Sequence, residues 1–239
     1  MSGHSKWKNI MHKKEKTDSQ RAKLFTKIGK EIAMIVKEGG PDPVSNSKLR
    51  DVIVKAKSNN VPNDNIDRII KKAAGGDGAN YEEIRYEGYG PKGIAVIVDT
   101  LTDNRNRTAG DIRYYFDKNG GNLGQVGSVS WMFEEKGVII IEKDKIDEDT
   151  LTEDAIEAGA DDISISDEVF EIYTDKSALQ EVKENLEKSG YKFLSVQLEY
   201  IPSTYVELDD ADDIKNFTKL TDALDDNEDV IDVWHNCEE

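Results

Sequence analysis

The chain of 239 residues has one cysteine, Cys237, so no disulfide forms within it, which fits a reducing compartment. It has three histidines, His4, His12 and His235. His235 and Cys237 stand two apart, but two potential ligands near a chain end do not make a zinc site. No serine or cysteine sits in a nucleophile-elbow pattern, so nothing here points to an enzyme, and no cofactor is expected. Aromatics are only 8%. No apolar run approaches the roughly 20 residues that span a bilayer, and no apolar stretch follows the basic start as a secretory signal requires. A cytoplasmic, non-membrane protein is the expectation.

What is abundant is charge, 34% of residues, and it is unevenly placed. Residues 1–76 hold 17 Lys/Arg against 8 Asp/Glu, a net +9. Residues 77–239 hold 15 against 41, a net −26. Such asymmetry hints at a polyanion-binding part at the basic end, toward which the acidic remainder would orient a nucleic acid by repulsion. Apolar runs such as Ile94-Ala95-Val96-Ile97-Val98 and Val138-Ile139-Ile140-Ile141 mark the rest as folded.

The order of periodicities predicts three domains. Residues 1–18 read as an extended basic arm. Helices are predicted from about Asp18 to Glu38, Ser45 to Ser58 and Asn63 to Ala74. The first carries Leu24, Phe25, Ile28, Ile32, Ile35 and Val36 on one side. Lys23, Lys27, Lys30 and Lys37 form a stripe opposite, open to a ligand. After the turn-rich stretch 75–80, strands and helices alternate. The expected strands are 93–100, 128–134, 137–142, 163–166, 169–174, 191–200, 204–208 and 229–235. The expected helices are 106–119, 149–158, 177–189 and 210–224. From 137 to 200 the order is β-α-β-β-α-β, the ferredoxin-like signature. The flanking pieces, 77–136 and 201–239, supply a second such set. The fold class expected is therefore α+β. A helical domain over 1–76 precedes a discontinuous α+β domain, into which a third domain over 137–200 is inserted.

The candidate nucleic-acid contacts begin in the arm. Lys6, Lys8, Lys13, Lys14 and Lys16 would neutralise phosphates and release counterions. His12 lies beside them. Trp7 has two readings, stacking on a base or sugar and anchoring the arm to a core. Arg21, Lys23, Lys27 and Lys30 extend the basic surface along the first helix. Arg105 and Arg107 lie near a helix start, the wrong end of the dipole for a cation, and so call for an external anion or a carboxylate such as Asp103 or Asp111. The glycine-rich stretch 119–127 follows a helix and precedes a strand, the reverse of a nucleotide-binding loop. It reads as a connection with a surface role. The acidic runs around Asp209-Asp210, Asp212-Asp213 and Asp225-Asp226 read as solvent-facing charge without calcium-loop spacing.

Gly3-His4-Ser5-Lys6-Trp7 with Asn9-Ile10, and Arg21-Ala22-Lys23-Leu24-Phe25-Thr26-Lys27, resemble the opening of the YebC/PmpR family. The resemblance continues through Gly40-Pro41-Asp42-Pro43, Asn60-Val61-Pro62, Tyr86-Glu87-Gly88-Tyr89-Gly90-Pro91, Thr102-Asp103-Asn104-Arg105-Asn106-Arg107-Thr108, Gly120-Gly121-Asn122-Leu123-Gly124 and Val129-Ser130-Trp131-Met132-Phe133. It implies a helical domain and two α+β domains in a regulator of gene expression. Bacterial members of that family are described as transcriptional regulators binding promoter DNA. Mitochondrial relatives are translational activators for a cytochrome oxidase subunit. Some bacterial members resemble ribosome-associated factors that relieve stalling at proline runs, so the implied partner is DNA or ribosomal RNA. Met11 stands where relatives commonly carry a basic residue.

Overall fold

The computed structural model describes residues 18–76, 79–143 and 145–238. The chain is α+β and divides into two compact units, one over residues 131–205 and the other comprising the helical segment, residues up to 130 and 206–238.

In the larger unit, α1 (Asp18–Gly39), α2 (Ser47–Ser58) and α3 (Asn63–Ala74) form the helical bundle. Each is amphipathic, and the stripes meet in one core. Ile28, Ile32, Val36, Leu49, Val52, Ala56, Ile66 and Ala73 are buried there together. Helices this short gain their stability from such packing, not from propensity. The Asn46 side chain caps α2 by accepting from Leu49 N at 3.1 Å.

The same unit holds a four-stranded antiparallel sheet. Its strands are β1 (Glu82–Tyr89), β2 (Ala95–Thr102), the two-residue β3 (Asn122–Leu123) and β9 (Val230–His235), in the order β3-β1-β2-β9. Helices α4 (Arg105–Lys118) and α7 (Ala211–Asp226) cover one face, where Val96, Val98, Ile112, Phe116, Phe217, Leu220 and Leu224 pack. A short parallel pair, β8 (Val206–Glu207) with β10 (Cys237–Glu238), closes the C-terminal end.

The second unit contains β4 (Phe133–Glu142), α5 (Glu148–Ala158), β5 (Asp162–Ile165), β6 (Val169–Asp175), α6 (Leu179–Lys188) and β7 (Ser195–Pro202). Its sheet order, β5-β6-β4-β7, is all antiparallel and is the ferredoxin-like arrangement. Ile139, Ile141, Phe170 and Ile172 pack under Leu151, Ala155, Val182 and Leu186 of its two helices. In sequence this unit lies between β3 and β9 of the first sheet.

The first sheet has the same spatial order, except that one strand, β1, has moved to the front of the chain. That strand is absent from the sequence expectation. Its charged residues (Glu82, Glu83, Arg85, Glu87) hide the alternation that apolar patterning detects. The expected strand over 128–134 is also corrected. Ser130–Met132 is a 3-10 turn and β4 begins at Phe133. The amides of Val129 and Ser130 donate to the Glu87 carboxylate at 2.8 and 2.9 Å, so they are spent before a ladder forms. The strand expected over 204–208 shortens to Val206–Glu207.

Candidate nucleic-acid interface

Of the sequence-selected contacts, Lys6, Trp7, Lys8, His12, Lys13, Lys14 and Lys16 lie outside the described residues. Arg21 is exposed near the start of α1. The lysine stripe of α1 is placed differently from the open face expected of it. Lys23 Nζ lies 3.1 Å from Asp226, and Lys27 Nζ donates to the Asp225 carbonyl at 2.7 Å. Lys30 Nζ donates to Asp229 Oδ1 at 2.5 Å and to the Glu228 carbonyl at 3.0 Å. Lys37 donates to Ala79 O and Asn80 Oδ1 at 2.8 and 2.9 Å.

The physical reason sits at the end of α7. A helix C-terminus is electronegative, and α7 ends with Asp222, Asp225 and Asp226 and no basic residue in its last turn. Burial, with Asp225 and Asp226 close by, pushes the Asp222 carboxyl up. The stripe supplies from α1 the cations that α7 lacks, and Lys27 caps one of its last carbonyls.

At the turn after α7, the charges converge on Asp229, a buried carboxylate. Besides Lys30, it accepts from Arg107 Nη2 at 2.7 Å, Thr108 Oγ1 at 2.7 Å and Thr102 Oγ1 at 3.3 Å. Burial alone would raise its pKa. Hydrogen bonds from Lys30, Arg107 and Thr108 outweigh it and bring the group down to about 2. Arg107 also holds Asp103 at 2.9 Å, and these two carboxylates keep its guanidinium charged. Arg105 lies 3.5 Å from Glu82 in an exposed pair. Of the two partners considered for these arginines, an external anion or a carboxylate, the structure supplies carboxylates. Asp229 carries no signal of this role in the sequence, where Thr102 and Thr108 stand only as the ends of the arginine motif.

The glycine-rich stretch is organised by another buried carboxylate. Glu87 accepts from Gly127 N at 2.9 Å as well as from Val129 N and Ser130 N. Burial opposes its ionisation, but these amides hold its pKa below the ordinary carboxylate value. The loop turns its amides inward to a fixed anion of the protein itself. Only Gly fits at 88, where an added Cβ would come within 2.7 Å of Asn122 O and 2.8 Å of Phe116 Cε1.

Among the described residues no group of three His, Cys, Asp or Glu is placed to hold a metal ion. No described helix is long and apolar enough to cross a membrane. His235 is half-buried with its Nδ1 shielded from solvent, edge-on to the Phe217 ring at 4.9 Å, and desolvation drives its pKa down to about 4.

The fold and these contacts define a class of protein: a three-helix module joined by ionic contacts to a ferredoxin-like sheet, with a second such sheet inserted in the chain. Family models described as the TACO1/YebC protein N-terminal domain and the TACO1/YebC second and third domain match residues 5–76 and 81–237. The chain belongs to the TACO1/YebC family. It is 58% identical over 238 residues to a protein of Acetivibrio thermocellus named "Probable transcriptional regulatory protein", covering 99% of this chain and 98% of that one. A protein of the same name from Caldicellulosiruptor bescii is 56% identical over 241 residues, covering 100% of this chain and 99% of the other. A solved structure, the conserved hypothetical protein Aq1575 from Aquifex aeolicus, superposes with a TM-score of 0.84 at 46% identity, covering 93% of this chain and 92% of that one.

Proposed function

We propose that the protein is a non-enzymatic, cytoplasmic regulator of gene expression that binds nucleic acid through its basic N-terminal part, acting at DNA as a transcriptional regulator. The observation that carries this is the charge division, +9 over residues 1–76 and −26 over the rest. A polyanion is drawn to one end of such a chain and repelled from the other. The name shared by its relatives agrees. The arm lysines Lys6, Lys8, Lys13, Lys14 and Lys16 carry most of the contact, with Trp7 and His12 among them and Arg21 adjoining. Lys23, Lys27, Lys30, Arg105 and Arg107 reach a phosphate only by giving up a carboxylate or carbonyl.

One observation favours a second reading, a ribosome-associated translation factor contacting ribosomal RNA. The cationic face of α1 is turned onto α7, so this longest helix of the bundle does not offer its lysines to a DNA groove. Contact through phosphates and shape suits folded RNA. Sedimentation of cell lysate through a sucrose gradient, with and without DNase, separates the two. Release from chromosomal DNA by DNase supports the transcriptional regulator. Co-migration with ribosomes that resists DNase supports the translation factor and overturns the DNA assignment.

A further inference from the structure

With the α1 stripe engaged, the cations of the bundle that remain outward lie elsewhere. Helix α2 buries Leu49, Val52 and Ala56 against α1 and α3, and its opposite side is exposed. On that side Arg50, Val54 and Lys57 follow one another at i, i+4 and i+7, within a sector of roughly 60° at about 100° per residue. All three residues are exposed, Val54 by 62%. Among the described residues, Arg50 and Lys57 make no ion pair. By contrast, Lys55 on the same helix is paired with Glu31 at 2.9 Å.

The placement of these cations is not explained by the stability of the helix. Arg50 sits in the first turn of α2, where the helix dipole is positive and no acidic residue stands. It costs stability locally, whereas a bound anion would turn that cost into attraction. The comparison with α3 is informative. There the outward cations Arg68 and Lys71 stand four residues after Asp64 and Asp67, the spacing of self-neutralising pairs, and Lys71 and Lys72 lie in the last turn, which favours cations. Arg50 and Lys57 of α2 have no acidic residue three or four positions away to compensate them in that way.

We propose that the ridge of Arg50 and Lys57 is a docking surface for a phosphodiester backbone, with the exposed Val54 between them lying against the sugar edge between phosphates. The proposal rests on the nucleic-acid reading above and adds a surface to it, on a different helix from the stripe. Ser47 in the first turn of α2 adds a hydroxyl donor for a phosphate oxygen.

The test uses the full chain and two probes, a fluorescent RNA hairpin and a DNA duplex of matching sequence, with affinity followed by anisotropy over a series of KCl concentrations. Each lost phosphate contact lowers the slope of log affinity against log salt by about 0.7 for single-stranded and about 0.9 for duplex nucleic acid. The variant R50Q/K57Q is expected to lower the slope by roughly 1.4 to 1.8 on the physiological probe. V54D, which places a carboxylate on the ridge at an exposed position, is expected to weaken binding about tenfold, with unchanged circular dichroism. An unchanged slope and affinity in both variants, while deletion of residues 1–17 lowers the slope, overturns the ridge and leaves the nucleic-acid reading standing. Failure of the unmodified protein to bind either probe at low salt overturns both.

Discussion

Three residues carry most of the electrostatic design: Glu87, Asp229 and His235. Glu87 shows why a carboxylate is buried in a strand. Its oxygens satisfy three backbone amides of a loop that has no ladder to join. In Glu87→Gln an NH2 group faces donors, so at least one amide is left unpaired. The expected loss is about 2–4 kcal/mol in urea unfolding, with faster amide exchange at Gly127, Val129 and Ser130. A loss below about 0.5 kcal/mol would show that the loop holds itself. His235 is neutral when folded, at about 4 against an ordinary 6.5. A base whose folded pKa is depressed contributes stability above its unfolded value, and loses it as pH falls toward the folded one. Stability should therefore drop by up to about 3 kcal/mol between pH 6.5 and pH 4. Replacing His235 by Gln should flatten that part of the profile. The depressed Asp229 works in the same direction over a lower window: its contribution, about 2 kcal/mol, is lost as pH falls from about 4 to about 2. None of these roles was visible in the sequence, because each depends on partners brought from far along the chain.

At the scale of elements, α1 has two interfaces, and the sequence disclosed their chemistry but only one partner. The apolar stripe through Ile28 and Ile32 packs into the bundle as its periodicity requires. The lysine stripe was equally legible as a stripe. Its destination was not, because it lies against α7, nearly 200 residues away. The acidic end of α7 read as solvent-facing charge for the same reason. Strand β1 was hidden because polar residues occupy it, whereas β4, with Val138, Ile139, Ile140 and Ile141, announced itself. The ion pairs between α1 and α7 predict the effect of changing Lys23, Lys27 and Lys30 together to Gln. Asp229 keeps Arg107 but loses a buried partner, and the end of α7 keeps its negative charge without compensation. The variant should lose about 2–4 kcal/mol by denaturant unfolding. Most of that loss should trace to Lys30, whose side chain is 11% exposed, and not to Lys23 at 31%. Equal contributions from the two would argue that general charge balance, not the buried pair, joins the elements.

Over the whole molecule the dominant feature is the separation of charge, readable from the sequence. The structure adds that much of the basic charge of α1 is met by acidic groups of the C-terminal segment. The binding charge must then come from what is left over: the arm and the outward helix faces. This makes a quantitative prediction for the arm. Deleting residues 1–17 removes Lys6, Lys8, Lys13, Lys14 and Lys16 without touching any described contact of the bundle. If all five meet phosphates, the salt slope for nucleic acid should fall by roughly 3.5 to 4.5. Unfolding stability should stay within about 0.5 kcal/mol, as for changes outside a core. Anisotropy titrations over a salt series measure the first and urea unfolding the second. A full slope loss at unchanged stability marks the arm as a binding element. A loss of stability with little change of slope instead makes the arm part of a core, anchored through Trp7. The acidic remainder of the chain would then be repelling a polyanion that only the helix faces attract.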